Sequence, residues 1–172
     1  LWWHRFFDKK NMQAYHSRLI SARIARQTVF SGDSLHFARS GASESGALDA
    51  GLLPRLADSL RPEDGAVQYR LSGATVRGRP VLRLEVSATL HLVCQRCLAE
   101  LAHPVSLHSV LPVARDEAEL ARWERDDPLL DALVAERHMD LPALVEDEIL
   151  LSLPAVPRHA DGACATAATW QV

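Results

Sequence analysis

Between Leu82 and Leu92 the chain alternates without a break. Leu82, Leu84, Val86, Ala88, Leu90 and Leu92 are apolar, and Arg83, Glu85, Ser87, Thr89 and His91 between them are polar. A period of two sends successive side chains to opposite faces, so this segment is predicted to be a half-buried strand with a fixed register. Val67, Tyr69 and Leu71 alternate in the same way with Gln68 and Arg70, up to a break at Gly78-Arg79-Pro80. Leu101, Val105, Leu107 and Leu111 alternate with His108 and Val110, and Pro104 among them predicts an edge strand or a bulge. The segments 82–92 and 101–111 flank Cys94-Gln95-Arg96-Cys97, which places that CxxC at the tip of a β-hairpin.

Elsewhere the pattern is helical or absent. Leu52 to Leu60 predicts a short helix, with Pro54 in its first turn and Leu52, Leu53, Leu56 and Leu60 on one face. Residues 115–137 carry eight carboxylates against four arginines and predict a short helix from Asp116 to Arg125, followed by a loop through Asp126-Asp127-Pro128. Asp140-Leu141-Pro142 is a helix start with Asp140 as cap, and Pro154 and Pro157 stop that helix after Leu153. On it Glu148 falls in the arc of Leu141, Leu144 and Val145, while Glu146 and Asp147 point elsewhere; a buried Glu148 needs a partner, for which Arg96 is a candidate. Residues 31–51, rich in Gly, Ser and Ala, read as a flexible connection. Together these elements predict an α+β fold: an antiparallel β-sheet with a CxxC hairpin tip, short helices and a C-terminal helix.

Composition changes the picture at the N-terminus. Both lysines (Lys9, Lys10), the only asparagine (Asn11) and four of the ten aromatics lie in the first eleven residues. Residues 1–11 therefore read as a non-native segment, with Met12 as the expected start. From Met12 to Phe30 the chain carries Arg18, Arg23, Arg26 and His16 and no acid, which makes 1–30 a basic N-terminal segment: an organellar transit peptide, a basic arm or a poorly ordered terminus. The whole chain of 172 residues has a formal net charge of −3 and is long enough for one domain with a real core. The expected organisation is a domain over 31–165 and a short tail over 166–172. No stretch approaches the roughly 20 uninterrupted apolar residues of a membrane span.

The candidate chemistry lies in the cysteines. Three cysteines cannot build a disulfide-dense scaffold, and the CxxC points to metal or redox chemistry in a reducing compartment. Cys94 and Cys97 have the spacing of a zinc knuckle, and His159 and Cys164, five residues apart in a turn-like stretch, can complete a Cys3His set. This is the expected structural zinc site, with His103 in reserve as fourth ligand. Three alternatives stay open: a free Cys164 with a surface His159, a thioredoxin-type redox pair, and a knuckle that has lost its metal. In the redox pair the second cysteine lies in a helix, whereas the residues after Cys97 read as strand. Arg70, Arg77, Arg79, Arg83 and Arg96 cluster around the hairpin and its neighbours and form the candidate patch for RNA or another partner; a solvated strand face is the plain alternative. No phosphate loop, nucleophile elbow or HExxH occurs, so nothing in the sequence argues for an enzyme.

Val93-Cys94-Gln95-Arg96-Cys97-Leu98 after a long strand, then the run from Asp140 through Val145-Glu146-Asp147-Glu148-Ile149 and Leu153-Pro154 to Pro157-Arg158-His159, and then Cys164, resembles the YceD family of bacterial large ribosomal RNA subunit accumulation proteins. The resemblance spans roughly residues 35–165. It implies a cytoplasmic, non-enzymatic protein that supports synthesis, processing or accumulation of the large-subunit (23S) ribosomal RNA. Its implied partners are that RNA, a ribosomal protein or an assembly intermediate, with no membrane and no small-molecule substrate. The competing readings are a zinc-stabilised protein–protein module without RNA binding and, third, a CxxC thiol-redox protein.

Overall fold

The computed structural model describes residues 32–49, 53–56 and 66–164. The expected basic segment 1–30, most of the helix expected over 52–60 and the 166–172 tail lie outside the described residues. The elements are α1 (Ser34–Ser40), β1 (Ser43–Asp49), β2 (Ala66–Val76), β3 (Arg79–Val93), β4 (Glu100–Ala114), α2 (Glu117–Asp126), β5 (Leu133–Val134) and α3 (Leu141–Ser152). The strands form one five-stranded sheet in chain order, β1-β2-β3-β4-β5. The α+β class holds, and the CxxC stands at the hairpin tip as the alternation required.

Period two is obeyed along the central strands. Val67, Leu71, Leu82, Leu84 and Leu90 are fully buried on one face, while Gln68, Arg70, Arg83 and Glu85 are exposed on the other. Each buried aliphatic side chain contributes about 1.5–3 kcal/mol relative to an exposed one, which is why the register is single-valued. A one-residue slip would expose the whole inner face. β2 and β3 meet through a two-residue turn at Arg77 and Gly78, both at positive φ (51° and 80°). Such a turn matches the strand twist and favours glycine at its second position.

The sheet is mixed rather than wholly antiparallel. β5 pairs parallel to the end of β4, Val113 with Leu133 and Ala114 with Val134. A parallel neighbour requires a crossover, and α2 supplies it. Asp116 caps α2 by accepting from the Glu119 N–H at 2.8 Å, as its position before the acidic run predicts. β3 and β4 stay in unbroken register from Val81–Pro112 to Val93–Glu100, so Pro104 makes no bulge. Among the described residues no strand lies beyond β4 at Pro104, and a residue without an N–H suits such an edge.

Residues 31–51 are a correction. Over the described residues 32–49 the chain builds α1 and the edge strand β1, not a flexible connection. The Asp33 carboxylate accepts from the His36 N–H at 2.7 Å, and the Ser34 N–H donates to the Glu136 carbonyl at 2.9 Å. Phe37 and Ala38 are buried over Gly73 of β2. A Cβ at residue 73 would run into the Phe37 carbonyl oxygen and the Ala38 backbone. The small residues here permit backbone approach between distant segments, which local composition does not distinguish from a linker.

Of the helix expected over 52–60, the structure describes Leu53–Leu56, a turn that buries Leu53 and Leu56. α3 begins as expected, with Asp140 accepting from the Ala143 N–H at 3.1 Å. Its buried carboxylate, however, is Glu146, only 2% exposed. Glu146 accepts from the Arg55 N–H (2.6 Å), the Leu56 N–H (3.1 Å) and Arg55 Nε (2.9 Å). It is buried because the 53–56 turn presents unpaired amides to it. Glu148 does face the sheet, as expected, but its partner is the Ser109 hydroxyl and not Arg96. α1 and α3 cover the inner face of the sheet. No helix among the described residues is long and apolar enough to cross a membrane.

Candidate metal centre

The hairpin tip is built by its own backbone. The Leu98 N–H closes the turn onto the Cys94 carbonyl at 2.9 Å, and the Cys94 N–H donates to the Ala99 carbonyl at 3.0 Å. Leu98 takes φ 58°, which turns the chain back toward β4, three residues after Cys97. The Cys94 side chain is buried, and Cys97 is half-buried. No helix follows Cys97: β4 begins at Glu100, so the turn lacks the helix N-terminus that a thioredoxin-type pair uses.

The second half of the cluster arrives from the other end of the domain. After α3 the chain passes Pro154 and Pro157, and the Gln95 N–H donates to the Pro157 carbonyl at 2.8 Å. This seats residues 157–164 on the hairpin tip. The Cys94 and Cys164 sulfurs are 3.8 Å apart, and His159 Nδ1 lies 3.4 Å from Cys97 Sγ and 3.8 Å from Cys164 Sγ. All four ligand atoms fall within 4.8 Å of one another, and the group could hold a metal ion.

Hydrogen bonding orients the set. His159 Nε2 lies 2.8 Å from the Glu100 carbonyl oxygen. A carbonyl only accepts, so Nε2 carries a proton, and the Nδ1 lone pair of the neutral ring would face an ion held among the three sulfurs. Arg96 Nε donates to Cys164 Sγ at 2.9 Å, and its terminal nitrogens reach Asp161 Oδ1 (3.2 Å) and the carbonyls of His159 (3.3 Å) and Ala160 (3.2 Å).

The electrostatics follow. Burial pushes the Cys94 thiol up, but backbone N–H groups of His159, Cys97 and Arg96 outweigh it and bring the value down to about 5. Arg96 holds the Cys164 thiol below its ordinary value. The Ala99 N–H draws Cys97 down, but burial and the neighbouring Cys164 and Cys94 sulfurs leave it above the ordinary range. His159 is raised by the Cys164 and Cys94 sulfurs. Two sulfurs are thus favoured as thiolates, the form that binds metal. Four-coordinate sites with metal–sulfur bonds of about 2.3 Å and metal–nitrogen bonds of about 2.0 Å have edges of about 3.8 Å (S–S) and about 3.5 Å (S–N). The donor set fits such an ion.

The other candidates are dispersed. His103 lies half-buried in β4 opposite Leu90 and outside the cluster. Arg96 stands apart from the other four arginines. Arg70 and Arg83 share the outer sheet face, where Arg70 stands opposite Glu85. Arg79 stacks on Trp123 of α2, 4.7 Å from the ring centroid, and Arg77 is in the β2–β3 turn. Arg96 lies at the far end of β3 and is taken up by the 159–164 segment. β3 has 15 residues, which separates its ends by roughly 45 Å. Sequence reading missed Glu146 and the Arg79–Trp123 pair; neither has a local signal, because both partners come from remote segments.

No solved structure matches this chain. Residues 82–172 match the model of the family described as large ribosomal RNA subunit accumulation protein YceD. The matched stretch opens near the start of β3 and contains Cys94, Cys97, His159 and Cys164, while α1, β1 and β2 precede it and complete the sheet. On that match, over more than half its length, the chain belongs to the YceD family.

Proposed function

We propose that this protein is a ribosome biogenesis factor that supports synthesis, processing or accumulation of the large-subunit (23S) ribosomal RNA. It acts without catalysis, in the cytoplasm, with ribosomal RNA, a ribosomal protein or an assembly intermediate as its partner. The observation that carries this reading is the family match over residues 82–172, which includes every member of the Cys/His cluster. The working unit is the domain over 31–165.

Zinc is the metal we assign, held by Cys94, Cys97, His159 and Cys164. Three sulfurs and one imidazole nitrogen suit zinc, and three of the cluster's edges, at 3.8, 3.4 and 3.8 Å, lie close to those of a tetrahedron of that size. Four protein ligands leave no open position for water or substrate, so the role is structural: the ion fastens the tail to the hairpin tip. Arg70, Arg77, Arg79 and Arg83 are the residues we assign to partner contact, with Arg96 assigned instead to the metal cluster. A second reading, a protein–protein module, is favoured by the exposed sheet face, where Arg70 and Glu85 stand opposite each other on a chain of net charge −3.

The test is complementation. In a strain lacking the gene, the ratio of large- to small-subunit ribosomal RNA should fall and be restored by the wild-type chain. It should not be restored by Cys94→Ser. An unchanged ratio in the strain lacking the gene would contradict the proposed role. Salt-dependent binding of the purified protein to large-subunit RNA, weakened in the Arg70→Ala, Arg83→Ala double variant, supports direct contact. No RNA binding, with ribosomal protein retained in pull-down, supports the second reading.

A further inference from the structure

Arg96 sits between the two cysteines of the CxxC, yet none of its side-chain hydrogen bonds is made with the hairpin. Its guanidinium reaches four acceptors, all in residues 159–164: Cys164 Sγ, Asp161 Oδ1 and the carbonyls of His159 and Ala160. Two of these belong to the cluster residues themselves: the His159 backbone and the Cys164 sulfur.

We infer that Arg96 is the positioning residue of the metal centre: it docks the 159–164 segment on the hairpin tip before metal arrives and presents His159 and Cys164 as preformed ligands. The inference rests on the Cys3His reading and extends it to how the site is assembled.

The chemistry supports this division of labour. Cys94 and Cys97 are local to one turn and need no help to meet. His159 and Cys164 come from a segment about 60 residues away along the chain, so ordering them carries a loop-closure cost. A planar guanidinium with several fixed donors can grip two carbonyls, a carboxylate and a sulfur at once, which an ammonium cannot do. Three thiolates around a divalent ion also leave a net negative charge, and Arg96 Nε lies 2.9 Å from the sulfur of Cys164. A hydrogen bond at that sulfur both fixes its direction and offsets that charge.

The experiment uses the full chain as wild type, Arg96→Lys and Arg96→Gln. The Arg96 side chain is 41% exposed, so these changes leave the buried sheet intact. Amide exchange in the metal-free state is read at Gln95, whose N–H bonds to the Pro157 carbonyl, and at Ala163, whose N–H bonds to the Ala160 carbonyl. Arg96→Gln should lose protection at both, Arg96→Lys should be intermediate, and the β3–β4 amides should not change. Cobalt(II) and zinc(II) titrations should show affinity reduced about 10–100-fold in Arg96→Gln, the range for loss of an outer partner of a metal ligand. At saturation the cobalt spectrum should be the tetrahedral, three-sulfur spectrum of the wild type. Unchanged exchange and unchanged affinity in Arg96→Gln would overturn the inference. A wild type that binds neither metal but still loses tail protection in Arg96→Gln retains Arg96 as the docking residue and defeats only the metal reading.

Discussion

His159 Nε2 is 2.8 Å from the main-chain carbonyl of Glu100, the first residue of β4. This contact fixes which ring nitrogen carries the proton and turns the other toward three sulfurs. It also joins the tail to the strand that leaves the CxxC. The hairpin tip and the tail are therefore one unit, assembled from segments that are remote in sequence.

Chelation should loosen that unit without unfolding the sheet. The core between β2, β3 and β4 is built from aliphatic side chains and does not depend on the cluster. Metal removal should raise amide exchange at Gln95, Leu98 and residues 158–164, with Leu84 and Val86 unaffected. Amide exchange with and without chelator reads this directly, and global loss of protection would show that the metal holds the whole fold.

In the metal-free protein Cys94 should titrate near pH 5, far below an ordinary thiol. A depressed thiol pKa adds stability that is fully present above the unfolded value of 9.0 and is lost as pH falls through the folded value of about 5. His159 has the opposite sign. Its raised pKa adds stability that is present below 6.5 and lost as pH rises through the folded value. Ultraviolet thiolate absorbance should show an acid transition that is missing in Cys94→Ser. In the loaded protein, protons compete for the same sulfurs, so acid should release the metal.

Glu146→Ala should destabilise the domain by about 2–4 kcal/mol, because it leaves the amides of Arg55 and Leu56 without their charged acceptor. Glu146→Gln should cost less, since one amide oxygen still accepts. Glu148→Ala, which loses only the Ser109 contact, should cost about 1 kcal/mol. Denaturant unfolding ranks the three.

Gly73→Ala should cost about 3 kcal/mol or more, since a methyl group at residue 73 would meet the backbone of Phe37 and Ala38, which cannot swing aside. The expected signature is a lowered unfolding midpoint together with increased exchange in α1.

The legible parts of this fold were those written locally. Alternation marked β2, β3 and β4, and Asp116, Asp140 and Pro142 marked the starts of α2 and α3 because a cap acts within three residues. The cluster was legible for a similar reason: CxxC spacing is local, and His159 and Cys164 were the remaining soft ligands near one another. What escaped was set by distant partners. Gly73 and Ala38 serve a crossing of two backbones, and Glu146 is buried by a turn some 90 residues upstream. β5 is two residues long and gains its identity only from the end of β4.

The most direct test of the central claim is the metal content of protein purified without chelator, for wild type, Cys94→Ser and Cys164→Ser. The account predicts about one zinc ion per wild-type chain and loss of tight binding in both variants. A wild type without metal would contradict the site, and a Cys164→Ser variant that keeps its zinc as tightly as wild type would contradict the joining of tail and hairpin through it.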